Sequence, residues 1–180
     1  MTPRLKEIYN KNIVPSLKSK FGNRYENIKK SIDLISKEKI KVKKISSFYE
    51  TPSYPNKSDP KFINVVIQIA FNGNPENLMQ KLLHIEKKLE RIREFKNEPR
   101  TCDIDIIDFN GIISDKNEIN LPHPKISERN FVLMPLKEIC PMWIHPILNT
   151  NIDNLIKNLT LTTRNEITRV KECDIRYLND

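Results

Sequence analysis

The sequence predicts an α+β fold, a ferredoxin-like sandwich in which helices pack on one face of an antiparallel sheet. Three observations predict it. Apolar residues recur at helical spacing in two stretches, 24–36 and 75–93. Strand-like patterns, by alternation or by β-branched and aromatic content, mark 40–49, 65–71 and 103–109. The two patterns interleave within 180 residues, the length of one ordinary domain, so residues 1–180 are expected to form a single unit.

The first helix is expected from Arg24 to Ser36, capped by Asn23, with Ile28, Ile32 and Ile35 on its apolar face. Ile40 to Tyr49 is β-branched and aromatic and predicts one strand. Pro52, Pro55 and Pro60 mark a loop over 51–60. Val65, Ile67, Ile69 and Phe71 alternate as a strand. Asn72 to Pro75 is a turn, with Asn74 as N-cap and Pro75 as first residue of a helix reaching about Arg93. Leu78, Leu82, Ile85, Leu89 and Ile92 form its apolar stripe. After the strand Asp103 to Phe109, the only further regular pattern is a short helix over 152–159.

Composition narrows the chemistry. Lys and Arg number 31 against 23 Asp and Glu, a net charge of +8, which favours an anionic partner. Gly22, Gly73 and Gly111 are the only glycines, so neither a dinucleotide-binding glycine fingerprint nor a phosphate-binding glycine loop can be written. A nucleotide would have to be held by side chains and metal. Cys102, Cys140 and Cys173 form no closely spaced pair and suggest neither a disulfide framework nor a zinc site. No apolar run approaches the roughly 18 residues of a membrane span, and residues 1–20 carry charges throughout. A cytoplasmic monomer acting on small molecules, without membrane or specific nucleic-acid partners, is therefore expected.

The segment Pro99-Arg100-Thr101-Cys102-Asp103-Ile104-Asp105-Ile106-Ile107-Asp108 is the sharpest chemical feature. On a strand, Asp103 and Asp105 share a face about 7 Å apart and can hold hard cations, while Ile104 and Ile106 turn to the core. Such cations commonly bridge phosphate oxygens, and Arg100 lies just before the two aspartates, within reach of the same phosphates.

This segment resembles the signature of the 6-hydroxymethyl-7,8-dihydropterin pyrophosphokinase family. Ser46 to Pro52, Phe62-Ile63-Asn64, Leu121-Pro122-His123-Pro124 and Arg129-Asn130-Phe131 resemble its other motifs, in family order over about 22–145. The resemblance implies diphosphoryl transfer from ATP to a pterin alcohol, with AMP released, in folate biosynthesis. It implies two Mg²⁺ ions on Asp103 and Asp105. It implies ATP contacts from Glu86, Arg93, Arg100, His123 and Arg129, with Arg93, Arg100 and Asp105 serving catalysis. It implies a pterin pocket of Thr51, Pro52, Phe62, Asn64 and Phe131, the ring stacked between the two phenylalanines. Helical phase favours Arg93 over Arg91, because Arg93 shares a flank with Glu86.

Two departures stand out. The family opens on a strand ending in Leu-Gly-Ser-Asn-Leu-Gly, whereas this chain reads Ile13 to Arg24, with Pro15 expected to interrupt the ladder and misplace any strand. Glu98 stands where a small residue is preferred. A catalytically impaired pterin- and nucleotide-binding homologue therefore stays open as an alternative, as does a basic RNA-binding module. The latter lacks the exposed aromatic motif it would need.

Overall fold

Ile13–Ser19 forms β1, an interior strand next to one edge of the antiparallel sheet, which has six strands among the described residues. The computed structural model describes residues 12–90, 102–116 and 119–171. On one side of β1 lies β5 (Asp103–Phe109), and on the other lies β4 (Phe62–Ala70). Beyond β4 come β2 (Lys41–Ile45) and β3 (Phe48–Thr51), both paired to it, and β8 (Thr168–Lys171) pairs with β3. With α1 (Arg24–Lys37) after β1 and α2 (Pro75–Glu90) after β4, the chain follows the β-α-β-β-α-β path of a ferredoxin-like fold.

The strand β1 corrects the expectation that Pro15 would spoil it. The β1–β5 register shifts between Val14, which faces Asp108, and Pro15, which faces Ile106. Ile107 is the extra residue of a bulge, and a bulge is where a central strand tolerates a residue without an N–H. The bulge also resets the alternation of β5. Ile104 and Ile106 face one core, Ile107 faces the other, and Asp108 bonds to a residue of that second core.

The helices α1 and α2 close the first core. Ile28, Ile32, Ile35, Leu78, Leu82 and Ile85 pack on Leu17, Ile63, Val65, Ile67, Ile104 and Ile106. Each of these helical side chains is buried, worth about 1.5–3 kcal/mol apiece in removed apolar surface. Asn23 accepts the Glu26 N–H at 3.3 Å, and Asn74 accepts the Asn77 N–H at 2.8 Å, so both caps stand where the sequence puts them. The expected end of the second helix, Arg93, lies outside the described residues.

Helices on one face alone proves incomplete. The opposite face carries α3 (Asn130–Ile139) and α4 (Ile152–Asn158), which pack with Trp143 on Val14, Val66 and Ile107. The hairpin β6 (Ser114–Lys116) and β7 (Ile119–Leu121), a 3₁₀ turn at Ile126–Glu128 and α5 (Leu161–Asn165) complete the described elements.

The single strand expected over 40–49 is two strands. At the break, Val66 N–H donates to the Ser46 hydroxyl at 3.0 Å, so a side-chain oxygen replaces a ladder carbonyl. Ser47 turns to Glu138 of α3, donating from both N–H (3.1 Å) and hydroxyl (2.8 Å). The second sheet face is thus apolar where α3 and α4 sit. Further along the same strands it becomes polar, and there the candidate site lies.

Candidate active site

Pairing register assembles the floor of the site. Lys18 lies opposite Asp103 on one side and Asn64 on the other, and Asn64 lies opposite Tyr49. One row across the sheet therefore reads Asp103, Lys18, Asn64, Tyr49. In the next rows Asp105 faces Ser16, and Thr51 faces Phe62. Because alternate strand residues share a face, both aspartates, Lys18, Phe62, Asn64 and Thr51 stand on the side that α3 and α4 leave uncovered.

At one end of this face is a cleft of about 420 Å³. Thr51, Pro52, Phe62 and Phe131 line it with Lys18 and Arg129. Both phenylalanines are half-buried, and neither is part of the core under α1 and α2. Asn64 is buried beside them. Its Nδ2 donates to the Thr51 hydroxyl at 3.0 Å and to the Tyr49 carbonyl at 3.2 Å. Its Oδ1 is a buried acceptor with no hydrogen-bond partner among the described residues. A buried acceptor in this state costs stability, on the order of 1–3 kcal/mol, and such groups concentrate where a ligand completes the bond.

The other end carries charge. The Asp105 side chain is 54% exposed, and its carboxylate lies 3.7 Å from the Arg129 guanidinium. The same guanidinium lies 3.2 Å from His123 Nε2. His123 is held by its own N–H, which donates to the Ile107 carbonyl at 2.9 Å. Its Nδ1 accepts the Lys125 N–H at 3.2 Å, so in the neutral ring Nε2 carries the proton. Burial, then the Arg129 charge, pushes the His123 pKa below its ordinary value. Two N–H donors consequently stand side by side, a pairing that calls for an anionic acceptor.

Glu86 does something local: its carboxylate accepts the Ile104 N–H at 2.6 Å, which pins β5 between the two aspartates. Arg93 and Arg100 lie outside the described residues, as do Asn97, Glu98 and Pro99. His84 is exposed, and buried His145 accepts the N–H groups of Ile147 and Leu148 in a turn, both at 3.2 Å. Burial pushes the Cys102 thiol up to about 12 and the Cys140 thiol up to about 11, so neither is a nucleophile.

Sequence reasoning missed several lining residues. Lys18 was legible only through the register of β1 against β5: with Leu17 opposite Ile104, Lys18 must face Asp103. Tyr54, Thr163 and Glu166 also line the cleft, and the Tyr54 hydroxyl donates to the Glu166 carboxylate, which Lys57 meets at 2.9 Å. These contacts join residues more than a hundred positions apart, and no local pattern announces them.

Comparisons with known proteins bear on the family and the fold. The family model described as 7,8-dihydro-6-hydroxymethylpterin-pyrophosphokinase (HPPK) matches residues 14–141. The 2-amino-4-hydroxy-6-hydroxymethyldihydropteridine pyrophosphokinase of Bacillus subtilis is 36% identical over 69% of this chain and 75% of its own length. The folic acid synthesis protein FOL1 of Dictyostelium discoideum is 34% identical over 78% of this chain, which spans only 21% of that larger protein. Among solved structures, Plasmodium falciparum HPPK-DHPS with pterin and p-hydroxybenzoate matches with a TM-score of 0.66 at 15% identity. That match covers 88% of this chain and 46% of the other, and it shows a shared fold. An antiparallel sheet with the D-x-D strand beside β1, together with a family match that begins inside β1 and ends just past α3, places this chain in the 7,8-dihydro-6-hydroxymethylpterin-pyrophosphokinase family.

Proposed function

We propose that this protein transfers a diphosphoryl group from ATP to the hydroxymethyl group of 6-hydroxymethyl-7,8-dihydropterin, releasing AMP. The observation that carries the reading is one sheet face with an aromatic cleft at one end and paired carboxylates beside cationic donors at the other. Pyrophosphoryl transfer to a flat alcohol needs both halves, held in register so that the hydroxyl oxygen comes within about 3–3.5 Å of the attacked phosphorus.

In this reading Phe62 and Phe131 stack the pterin ring, each adding roughly 0.5–1.5 kcal/mol beyond buried area. Thr51, Pro52 and Asn64 form its polar edge, and the buried Asn64 Oδ1 takes a ring N–H or amino donor. Arg129 and the Nε2–H of His123 hold phosphate oxygens and stabilise charge that develops in transfer. Arg93 and Arg100 serve the same phosphates. Glu86 supports the nucleotide side by fixing the backbone between Asp103 and Asp105.

Asp103 and Asp105 are the residues that would hold Mg²⁺, two ions in all. Their donor set fits: two carboxylates on adjacent same-face positions, oxygen donors suited to a hard cation that takes its remaining ligands from phosphate and water. The bound ion supplies charge neutralisation across the phosphates. In this reading Asp105 also assists removal of the substrate hydroxyl proton, unless no separate base is needed.

We further propose a cytoplasmic monomer. No helix among the described residues is long and apolar enough to cross a membrane. The test of the function is incubation of the purified protein with ATP, Mg²⁺ and the pterin alcohol. Acceptor-dependent AMP formation supports the reading, and AMP formation indifferent to the pterin removes it.

A further inference from the structure

The Lys18 side chain rises from the centre of the site floor, between Asp103 and Asn64. Its ammonium lies 3.7 Å from the centroid of the Phe62 ring and 4.6 Å from that of Phe131. Both distances are inside the reach of about 6 Å over which a ring face attracts a cation. Lys20 and Arg129 approach the same two rings from further off, at 5.3 Å and 5.5 Å. Burial, then the Arg129 charge, pushes the Lys18 pKa below its ordinary value. The Asp103 and Asp105 carboxylates attract the ammonium in turn, and the two ring faces hold it over the cleft. A flat ring stacked on Phe62 and Phe131 needs those same faces.

We propose that Lys18 sets acceptor affinity, because its ammonium and the acceptor ring compete for the faces of Phe62 and Phe131 and a stacked pterin displaces it. The proposal rests on the acceptor reading of this cleft.

The experiment is equilibrium binding of 6-hydroxymethyl-7,8-dihydropterin to the wild type and to the Lys18→Ala, Lys18→Ser, Lys18→Arg and Phe62→Ala variants, with an unfolding midpoint for each. Lys18→Ala is expected to tighten binding about fivefold, the size of a cation–π contact of roughly 1 kcal/mol. Lys18→Ser does the same, and Lys18→Arg, which keeps a cation over the rings, binds no tighter than wild type. The KM for the pterin falls in proportion while the KM for ATP holds within about twofold, a split that a merely structural role does not produce. Unchanged or weaker pterin binding by folded Lys18→Ala and Lys18→Ser, with Phe62→Ala still losing the pterin, overturns the role of Lys18 and leaves the acceptor reading intact. Pterin binding indifferent to Phe62→Ala overturns the acceptor reading and the Lys18 proposal with it.

Discussion

The Glu86 carboxylate of α2 accepts the backbone N–H of Ile104 at 2.6 Å, on the strand residue that separates Asp103 from Asp105. A helix side chain thereby holds the backbone that presents both carboxylates. Glu86→Ala leaves that N–H unmet and is expected to cost about 1.5–3 kcal/mol, the range for a hydrogen bond to a charged group. Glu86→Gln keeps an acceptor and is expected to cost less than half as much. Denaturant midpoints of the two variants check this, and equal losses would show that the bond contributes little.

Asp108 gives a pH signature. It is fully buried, accepting the Trp143 indole N–H at 2.8 Å and the Gly111 N–H at 2.9 Å. Burial nonetheless pushes its carboxyl up to about 6. In the unfolded chain the same group ionises near its ordinary value of about 3.9. Between those values the folded state binds more protons, so the contribution is complete below pH ~4 and is lost as pH rises through about 6. The loss approaches 3 kcal/mol at about 1.4 kcal/mol per pKa unit. Unfolding free energies of wild type and Asp108→Asn, measured from pH 4 to 7, should shift by that amount in disfavour of the wild type. A difference that stays constant with pH would refute it.

Glu138 ties the outer strands to α3. It accepts from Ser47 and from the Tyr49 hydroxyl at 2.8 Å each, and Arg169 of β8 lies 3.5 Å away. Glu138→Ala should destabilise by about 2–4 kcal/mol, because several polar groups lose one shared acceptor. Hydrogen exchange should quicken in β3 and β8 before β1. Uniform exchange across the sheet would contradict this anchoring role.

The legible part of the fold was the part written in local pattern. The strand Asp103–Phe109 and both helix caps follow from alternation and capping chemistry within a few residues. The helix α3 escaped because Pro135 inside it reads as a breaker, although its apolar residues pack well. The strand β1 was misjudged because the bulge that accommodates Pro15 belongs to its partner β5. In the site, Phe62, Asn64, Asp103 and Asp105 carried motif signals and stand on one sheet face, and Phe131, which carried another, lines the cleft from α3. Lys18 carried none, since its meaning depends on which residues the register sets beside it.

Asn64 offers a clean test of the acceptor end. Asn64→Leu removes the buried Oδ1 together with the Nδ2 bonds to Thr51 and Tyr49. The KM for the pterin should rise at least about tenfold, the equivalent of roughly 1.4 kcal/mol. The KM for ATP should stay within about twofold. Parallel increases in both would place Asn64 outside the acceptor pocket.

On the proposed reading, one sheet face joins an aromatic acceptor cleft to a carboxylate pair that handles the phosphates. The most direct measurement is chromatographic separation of AMP and ADP after wild type, Asp103→Ala and Asp105→Ala are each incubated with ATP, Mg²⁺ and 6-hydroxymethyl-7,8-dihydropterin. Wild type is expected to give AMP and pterin diphosphate in equal amounts. Either variant is expected to give at least about 10³-fold less product with an unfolding midpoint close to wild type, because in the proposed function both side chains serve the phosphates. ADP in place of AMP, or wild-type rates from either variant, would contradict it.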